Sequence, residues 1–330
     1  MKYKVVLTDA HQHPFDDALL ALLRDCDASF EARVCETEQQ VIDLCADADA
    51  VMTSHAFITE RAIKSMRRCR IIARIGTGYD NVDDEAAGAA GIPVTNVPNF
   101  CTEEVATHTM AMLLAWARKL VVLDREVRRG VWQGDHILPT HRLSQQVLGL
   151  VGFGHIGRAV AARALPFGLR LIYYDPFYQP LADAPDAEPC GTLEELLAVT
   201  DFVSLHVGLN KQTRGMIAMT QFEVMKPSAV LINTSRGAVV VEQDLVRALK
   251  EKRIAGAAID VPDPEPPATD HPLFAMDNVI WSPHCASHTV ESMAELRRRA
   301  VEEVARALRG GPLLHVVNRR SLQRQKKDSA

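Results

Sequence analysis

The stretch from Leu148 to Pro176, LGLVGFGHIGRAVAARALPFGLRLIYYDP, decides the fold prediction. A short apolar run stops at a G-x-G-x-x-G pattern, whose glycines are Gly152, Gly154 and Gly157. An alanine-rich helix follows, and then a second apolar run that ends at Asp175. Strand, glycine turn, helix, strand and acid come in the order of a dinucleotide-binding βαβ unit. The stretch therefore predicts a nucleotide site at the end of a parallel strand.

Each part of the glycine turn has a physical reason. Gly152 permits a tight turn, Gly154 lets the backbone approach a pyrophosphate, and Gly157 lets the helix pack closely on the strand. The amides of His155 and Ile156 open the helix, where the positive end of the helix dipole favours phosphate. We expect these residues to bind the cofactor.

The acid at the end of the second strand predicts which cofactor is used. Asp175 lies 18 residues after Gly157, where a carboxylate can accept both hydrogen bonds from an adenosine ribose diol. A carboxylate would repel a 2′-phosphate, and the next residues, Pro176 and Phe177, include no arginine. The sequence thus favours NAD over NADP.

Composition excludes several classes of protein. At 330 residues the chain is long enough for two domains, and its hydrophobic fraction of 47% is ordinary for a globular protein. The formal net charge of -5 predicts neither a nucleic-acid nor a membrane partner. Its start lacks the apolar core of a signal peptide, and no apolar run reaches membrane-spanning length. Seven cysteines without CxxC spacing predict reduced thiols in the cytoplasm, with neither a disulfide framework nor a metal site.

The chain before the glycine motif reads as a domain of its own. Apolar runs alternate with helical stretches over the first hundred residues, which predicts a parallel sheet with helical crossovers. A helix from Thr102 to about Lys119 is apolar nearly all round, so we expect it to be buried, partly against another subunit. The irregular segment 128–142 is predicted to form an arm that extends over a partner subunit. The polar tail from Arg319 is predicted to be frayed.

Reduction of a 2-oxo acid by hydride requires a cation for the carboxylate and ketone, and an acid that protonates the alkoxide. Arg236 follows an apolar strand in NTSRG, where ligands collect on α/β sheets. Its guanidinium offers a rigid fork of donors that suits a carboxylate and a carbonyl oxygen together. A surface salt bridge is the commoner role of an arginine. The position between small residues at a strand end favours a functional role.

His284 follows the last predicted strand, in SPH, and is the candidate acid. An imidazole titrates near pH 6.5, which suits proton transfer, although a structural histidine is the more common case. Glu265 lies 19 residues earlier, in a proline-rich stretch, and can hydrogen-bond the other ring nitrogen. Taken alone, such an acidic, proline-rich stretch is more often an exposed loop. Asp260 either holds the nicotinamide carboxamide or merely ends its strand.

A second glycine turn follows a strand in the first domain, in the sequence ARIGTGYDN over 73–81. The amides around Gly76, Thr77 and Gly78 are able to cradle a carboxylate, with Arg74 as a second cation. An ordinary turn explains the same residues equally well, so both interpretations remain open here.

Taken together, these motifs resemble the D-isomer-specific 2-hydroxyacid dehydrogenases along nearly the whole chain. The segments that carry the resemblance are ARIGTGYDNVD, NVPNFCTEEVATH, LGLVGFGHIGRAV, SLHVGLNKQTRGMI, LINTSRGAVV, AGAAIDVPDPEPP and WSPHCASHT. RIGTGYDNVD and NVPNFCTEEVATHT are most similar to the C-terminal-binding-protein-like branch. Glu265 disfavours the related formate dehydrogenases, which carry an amide there.

The resemblance implies an α/β protein of two doubly wound parallel-sheet domains, one flavodoxin-like and one Rossmann, with the active site in the cleft between them. We expect the substrate domain at 1–99 with 289–330, the NAD domain at 100–288, and a homodimer formed through the NAD domain. The resemblance implies that Arg236, Glu265 and His284 are catalytic. It places Arg74, Gly76, Thr77, Gly78 and Arg236 at the substrate. It assigns the cofactor to Gly152, Gly154, His155, Ile156, Gly157, Asp175, His206, Thr234 and Asp260.

The sequence departs from the family pattern at four positions. Thr107 stands where an acid is usual, Gly208 replaces a proline beside His206, and Pro262 replaces an aromatic residue. Ser287 replaces the tryptophan of the C-terminal-binding-protein branch, so the substrate cannot be carried over from it.

The sequence therefore predicts an NAD-dependent oxidoreductase that interconverts a small 2-oxo acid and a D-2-hydroxy acid. Glyoxylate or hydroxypyruvate is one candidate substrate and a bulkier 2-oxo acid is another. The alternative is an NADH-sensing, dimeric corepressor-like binding protein, which would bind NADH tightly without turnover.

Overall fold

The computed structural model describes residues 1–134, 139–179, 181–182 and 184–328. Residue contacts divide the chain into two compact units. The first unit comprises Met1–Phe100 with Thr289–Ala330, and the second comprises Cys101–His288. Each unit is built on its own parallel sheet, and strands and helices are numbered along the whole chain.

The first unit has a five-stranded parallel sheet. Its strands are β1 Tyr3–Leu7, β2 Ala28–Ala32, β3 Ala50–Thr53, β4 Ile72–Arg74 and β5 Val94–Thr95. They lie in the order β2-β1-β3-β4-β5, which is the flavodoxin-like arrangement. The chain reverses its direction of winding between β1 and β3, so the loops after these two strands flank the switch point of the sheet.

Helices flank this sheet, and those from the first hundred residues and Val290–Leu308 bury apolar side chains. They are α1 Asp17–Arg24, α2 Glu38–Cys45, α3 Glu60–Ser65, α4 Asp84–Ala89, α11 Val290–Leu308 and α12 Arg319–Asp328. Local sequence sets where several begin. At α2, for example, Thr37 accepts the amide of Gln40 while the Gln40 side chain accepts the amide of Thr37, which forms a capping box.

The second unit has a seven-stranded parallel sheet. Its strands are β6 Val147–Val151, β7 Arg170–Tyr174, β8 Glu188–Pro189, β9 Phe202–Leu205, β10 Val230–Asn233, β11 Gly256–Ile259 and β12 Val279–Trp281. Its helices are α5 Thr102–Ala117, α6 Leu120–Arg128, α7 His155–Ala164, α8 Leu193–Val199, α9 Met219–Val224 and α10 Glu242–Lys250. The order β12-β11-β10-β9-β6-β7-β8 is doubly wound, with its switch point between β6 and β9.

This topology confirms the predicted fold class, two α/β units with parallel sheets. The inner strands of the second sheet, β6, β9, β10 and β11, are almost entirely buried, because helices cover both of their faces. The loops after β10, β11 and β12 leave neighbouring strands at the same edge of the sheet. The fold thereby brings together Arg236, Asp260 and His284, which are far apart in the sequence.

Two local predictions need correction or qualification. The tail from Arg319 is helical as α12, because it packs against α4, where the Ser321 hydroxyl donates to the carbonyl of Asp84. The predicted arm at 128–142 begins inside α6, and residues 135–138 lie outside the described part of the chain. No helix among the described residues combines the length and apolarity that crossing a bilayer requires.

Candidate active site

The glycine turn after β6 is shaped by two close backbone approaches. Gly152 has a φ of 93°, and a Cβ there would lie 2.7 Å from the carbonyl oxygen of His206. A Cβ on Gly157 would lie 2.2 Å from the carbonyl oxygen of Gly152. Both contacts are with backbone, which cannot swing aside. The roles of these two glycines in tight turning and close packing are therefore set by the protein's own geometry.

Gly154 differs from its two neighbours in the motif. A Cβ built on it would meet no atom within 4 Å, and its φ of -70° is open to any residue. Nothing in the described part of the chain therefore requires a glycine at this position. Since α7 begins at His155, the first amides of the helix point from this turn without intrahelical acceptors. The open space and the amides together fit a pyrophosphate.

Asp175 lies beside the glycine turn and helps to hold it. Its Oδ2 accepts the amide of Phe153 at 2.9 Å, and its Oδ1 accepts the amide of Phe177 at 3.0 Å. The buried ring of Phe153 stacks on Tyr173, with 4.2 Å between ring centroids. The carboxylate is thus fixed at the end of β7, where a ribose diol can reach its remaining lone pairs. These residues fit a dinucleotide.

His206 follows β9 on the other side of the switch point. Burial lowers the pKa of its imidazole to about 3, so the ring is neutral at neutral pH. Its Nε2 atom is buried without a hydrogen-bond partner among the described residues. Gly208, two residues later, would accept a Cβ without any contact within 4 Å. His206 therefore adds no charge on this side of the switch point, and the backbone at Gly208 is open.

The loop after β10 carries Arg236 in a fixed turn. The Asn233 side chain accepts the amide and the hydroxyl of Ser235, and its Nδ2 donates to the carbonyl of Arg236 at 2.9 Å. A Cβ on Gly237 would lie 1.9 Å from the carbonyl oxygen of Pro262, so the loop after β11 packs directly on this turn. Asn233 was not singled out from the sequence. The signal that could have identified it is a polar amide residue at the end of a buried apolar strand.

Asp260 organises the loop that contains the candidate acid. Its side chain is 1% exposed, and its Oδ1 accepts the hydroxyl of Ser282 at 2.5 Å and the amide of Cys285 at 3.0 Å. Its Oδ2 accepts the amide of Ala286 at 3.1 Å, while its carbonyl accepts the amide of His284 at 2.8 Å. Asp260 therefore does more than end its strand, because four groups of the next loop bond to it.

His284 and Glu265 are brought together by the fold. The Nδ1 atom of His284 lies 2.6 Å from Oε1 of Glu265, across 19 residues of sequence. His284 itself has a φ of 50°, in the left-handed region that non-glycine residues rarely adopt. Such a backbone conformation persists only where surrounding bonds impose it, as the bonds to Asp260 do here.

Three side chains near this loop have metal-ligand chemistry. The ligand atoms of His108, Asp260 and Cys285 lie within 4.8 Å of one another, the single such group among the described residues. Both oxygens of Asp260 already accept hydrogen bonds, and burial raises the pKa of the Cys285 thiol. Because a metal binds the thiolate, this group is better explained as part of the hydrogen-bonded loop.

The second glycine turn, in the first unit, is arranged differently. Gly76 has a φ of 149°, and the Arg74 guanidinium covers it so closely that a Cβ would lie 1.2 Å from Nη1. The Thr77 hydroxyl donates to the carbonyl of Val97 at 3.1 Å, and the Val97 amide donates to Gly76. Arg74 and the amides of this turn thus form one compact group, as a carboxylate-binding turn requires.

A buried histidine lies in the same unit. His13 is 4% exposed, and neither ring nitrogen has a hydrogen-bond partner among the described residues. Burial lowers its pKa to about 4, and the positive charges of Arg297 and Arg74 and the nearby His55 act in the same direction. Asp9 opposes them, but its carboxylate accepts the amides of residues 54–56. His13 was not singled out from the sequence, because no motif surrounds it.

Comparison with known proteins identifies the family. The D-isomer specific 2-hydroxyacid dehydrogenase NAD-binding domain matches residues 110–286, which include the glycine motif, Arg236, Glu265 and His284. A glyoxylate reductase of Thermococcus litoralis is 42% identical over 269 residues, which cover 78% of this chain and 80% of that protein.

Two further relatives extend the match over nearly the whole chain. A D-3-phosphoglycerate dehydrogenase of Methanocaldococcus jannaschii is 34% identical over 325 residues, 98% of this chain but only 61% of that longer protein. A crystal structure of D-lactate dehydrogenase from Aquifex aeolicus, with NAD and lactic acid, superposes with a TM-score of 0.82 at 26% identity and covers 98% of both chains. The chain belongs to the D-isomer specific 2-hydroxyacid dehydrogenases and is an NAD-dependent oxidoreductase that interconverts 2-oxo and 2-hydroxy acids.

Proposed function

We propose that this chain reduces a small 2-oxo acid with Arg236, His284 and Glu265 as its catalytic residues. The observation that carries the proposal is the 2.6 Å hydrogen bond between His284 Nδ1 and Glu265 Oε1. A histidine held in this way by a carboxylate, at the same edge of a parallel sheet as the Arg236 loop, is an arrangement suited to acid–base catalysis.

The hydrogen bond assigns the ring protons of His284. A carboxylate accepts, so Nδ1 donates to Glu265 and Nε2 is the atom that exchanges a proton with substrate. In reduction, bound NADH supplies the hydride that forms the new C–H bond. The carbonyl oxygen takes the Nε2 proton as its double bond to carbon becomes single, which leaves a neutral imidazole. Glu265 holds the ring through Nδ1, so that Nε2 is the nitrogen oriented for this transfer.

Arg236 is proposed to bind the substrate carboxylate and polarise the ketone. Its guanidinium never deprotonates, and its loop is held by the Asn233 side chain, so the cation is preorganised rather than recruited. Arg74 and the amides of Gly76, Thr77 and Gly78 are proposed as further contacts to the carboxylate. Their compact arrangement around the guanidinium supports this assignment.

The cofactor is proposed to bind along the switch point between β6 and β9. Gly152 and Gly157 shape the turn, while Gly154 and the amides of His155 and Ile156 accommodate the pyrophosphate. Four further residues complete the proposed set, and these are Asp175, His206, Thr234 and Asp260. The contact of Asp260 with nicotinamide stays a prediction, and so does the preference for NAD that Asp175 implies.

Among 2-oxo acids, we propose glyoxylate or hydroxypyruvate as the substrate class. This choice is supported by a relative named glyoxylate reductase, which is 42% identical and is covered over 80% of its own length. The D-3-phosphoglycerate dehydrogenase is matched over only 61% of its length. A placement within the C-terminal-binding-protein-like branch stays a prediction, since Ser287 departs from it.

The test measures NADH oxidation against a panel of 2-oxo acids of graded side-chain size, with wild type and Arg236→Ala. We expect glyoxylate and hydroxypyruvate to be turned over fastest. Arg236→Ala should lower kcat/KM by roughly a thousandfold, because a charge-assisted clamp on the reacting group is lost, while NADH affinity stays within about twofold. The matched control is Arg309→Ala, an exposed arginine of the other unit.

Each result has a distinct meaning. Near-normal turnover by Arg236→Ala would contradict the role of this arginine. Tight NADH binding by wild type without turnover on any panel member would contradict the substrate class and favour the NADH-sensing, corepressor-like function.

We also propose that the protein forms a homodimer through its NAD-binding unit and acts in the cytoplasm. Helix α6 has no buried residue within this chain, and Leu120, Val127 and the nearby Trp132 are exposed, the last by 85%. Exposed apolar side chains of this kind are typical of a surface that another subunit covers. All seven cysteines are free, as expected for a reducing compartment. Measurement of the molar mass of the protein in solution tests whether it forms this dimer.

A further inference from the structure

Two adjacent polar residues of α5 reach two different loops of the candidate active site. His108 Nε2 lies 2.8 Å from the Ser282 hydroxyl, two residues before His284. The Thr109 hydroxyl lies 3.0 Å from the Thr234 hydroxyl, two residues before Arg236. Both bonds lie within the second unit and join residues more than a hundred positions apart.

The hydrogen atoms of the first bond can be assigned. The Ser282 hydroxyl has one hydrogen, which it donates to Oδ1 of Asp260 at 2.5 Å. The bond from His108 must therefore be donated by the ring, so Nε2 of His108 carries a hydrogen. This gives a directed chain in which His108 donates to Ser282 and Ser282 donates to Asp260.

The second bond has an equally defined direction. The Thr109 hydroxyl donates to the carbonyl of Val105 at 2.8 Å, one turn earlier in α5. Its oxygen is then left to accept, and the Thr234 hydroxyl donates to it. Thr109 is completely buried and Thr234 is 8% exposed, so water cannot replace either partner without a cost.

These bonds act on loops that are under conformational constraint. His284 has a φ of 50°, in the left-handed region that is unfavourable for a residue other than glycine. Asp260 imposes it by accepting the amides of His284, Cys285 and Ala286. Ser282 fixes the Asp260 carboxylate, and His108 fixes Ser282. The position of the proton donor thus depends on a helix that contains no catalytic residue.

We propose that His108 and Thr109 are positioning residues, which hold the His284 loop and the Arg236 loop at a fixed separation by tying both to α5. The proposal rests on the proposed function, because that function makes these two loops the reactive ones. α5 is a suitable reference because it is a rigid helix of 16 residues that packs on α7 and lies against β10 and β11.

The first test separates catalysis from binding. His108→Ala should lower kcat by roughly tenfold to a hundredfold, since small displacements of reacting groups have effects of this size. The KM for the 2-oxo acid and the affinity for NADH should stay within about threefold. His108→Gln keeps a donor at similar reach and should restore most of kcat. Thr109→Val should lower kcat, whereas Thr109→Ser should stay near wild type.

Thr107→Ala is the matched control for α5. Thr107 is exposed on the same helix and accepts a bond from Arg163 instead of an active-site loop. Its kcat should match that of wild type. Equal losses in the alanine and glutamine variants of His108, or unchanged kcat in both, would overturn the proposed role of His108.

A double-mutant cycle shows whether His108 acts through Ser282. Ser282→Ala removes the middle member of the hydrogen-bond series from His108 to Asp260. Adding His108→Ala to this variant should therefore lower kcat by less than about a further twofold. If the two losses instead multiply, His108 acts by another route, and the proposed series of hydrogen bonds from His108 through Ser282 to Asp260 is rejected.

A measurement without substrate separates this inference from the proposed function. The ring ¹⁵N shifts of His108, assigned by their loss in His108→Gln, should show a hydrogen on Nε2 in wild type and an altered ring in Ser282→Ala. A ring with its hydrogen only on Nδ1 would overturn the inference. Absence of turnover in wild type would instead contradict the proposed function and leave this readout intact.

Discussion

Two glycine turns of this protein follow parallel strands in the same way and yet provide different environments. After β6, the space above Gly154 is open, and the first amides of α7 lie beside it. After β4, the corresponding space at Gly76 is filled by the guanidinium of Arg74. One turn leaves room for a phosphate to approach the backbone, and the other supplies its own cation. Similar strand-end glycines are thus proposed to serve a cofactor in one unit and a small anion in the other.

Among changes in the two glycine turns, the largest effect is expected for Gly157→Ala, which tests the packing part of the first turn. Its Cβ would lie 2.2 Å from the carbonyl oxygen of Gly152. The gain in helix propensity, about 1 kcal/mol, is smaller than the cost of overpacking against backbone, about 1–3 kcal/mol. We expect a lower midpoint of urea unfolding and at least a hundredfold weaker NADH binding. Unchanged stability and affinity would show that the turn can relax.

Gly154→Ala separates cofactor space from packing. Because its Cβ meets no atom within 4 Å, the urea midpoint should stay within error of wild type. NADH affinity should fall by roughly tenfold, since the methyl group enters the space proposed for the pyrophosphate. Titration of NADH fluorescence gives both the affinity and the stoichiometry. Wild-type affinity of Gly154→Ala for NADH would contradict the proposal that the pyrophosphate binds at this turn.

Gly76→Ala makes the matching change in the other turn. The new Cβ would displace the Arg74 guanidinium, and the φ of 149° is unfavourable for alanine. We expect the KM for the 2-oxo acid to rise by roughly tenfold while NADH affinity stays within about twofold. Steady-state kinetics at saturating NADH measure the first quantity. A loss confined to NADH binding would contradict the assignment of this turn to the substrate.

The last comparison concerns two histidines with lowered pKa values, one in each unit. Burial lowers the pKa of His13 to about 4 and that of His206 to about 3, against about 6.5 in an unfolded chain. Between pH 6.5 and 4 the unfolded chain binds protons that the native protein does not, so stability falls as the pH is lowered. For His13 the loss from pH 7.5 to 5 should be about 2 kcal/mol.

His13→Gln should reduce this pH dependence, whatever its effect on stability at pH 7.5. Urea unfolding of wild type and variant at both pH values measures the difference. The control is His141→Gln, because His141 is exposed. An identical loss in wild type and His13→Gln would show that His13 becomes protonated in the native protein.

Much of the fold was predictable because it depends on short-range patterns. The parallel sheet of the first hundred residues and the βαβ unit around the glycine motif were predicted from apolar runs and turn residues alone. The tail from Arg319 was predicted wrongly because its composition is polar. What holds the segment just before it is the buried Asn318, whose side chain bonds to the backbone of Val94 and Ile92. A tertiary anchor of this kind leaves no periodic signal.

By itself, the sequence determined the class of sheet, the nucleotide turn and the candidates Arg236, Glu265 and His284, because strand ends and special residue types are local features. Only the tertiary structure decided that Gly154 is open while Gly76 is covered, and that His108 bonds to Ser282 across 174 residues. The physical reason is that a contact between distant residues depends on how sheets and helices pack. No spacing along the chain encodes that packing.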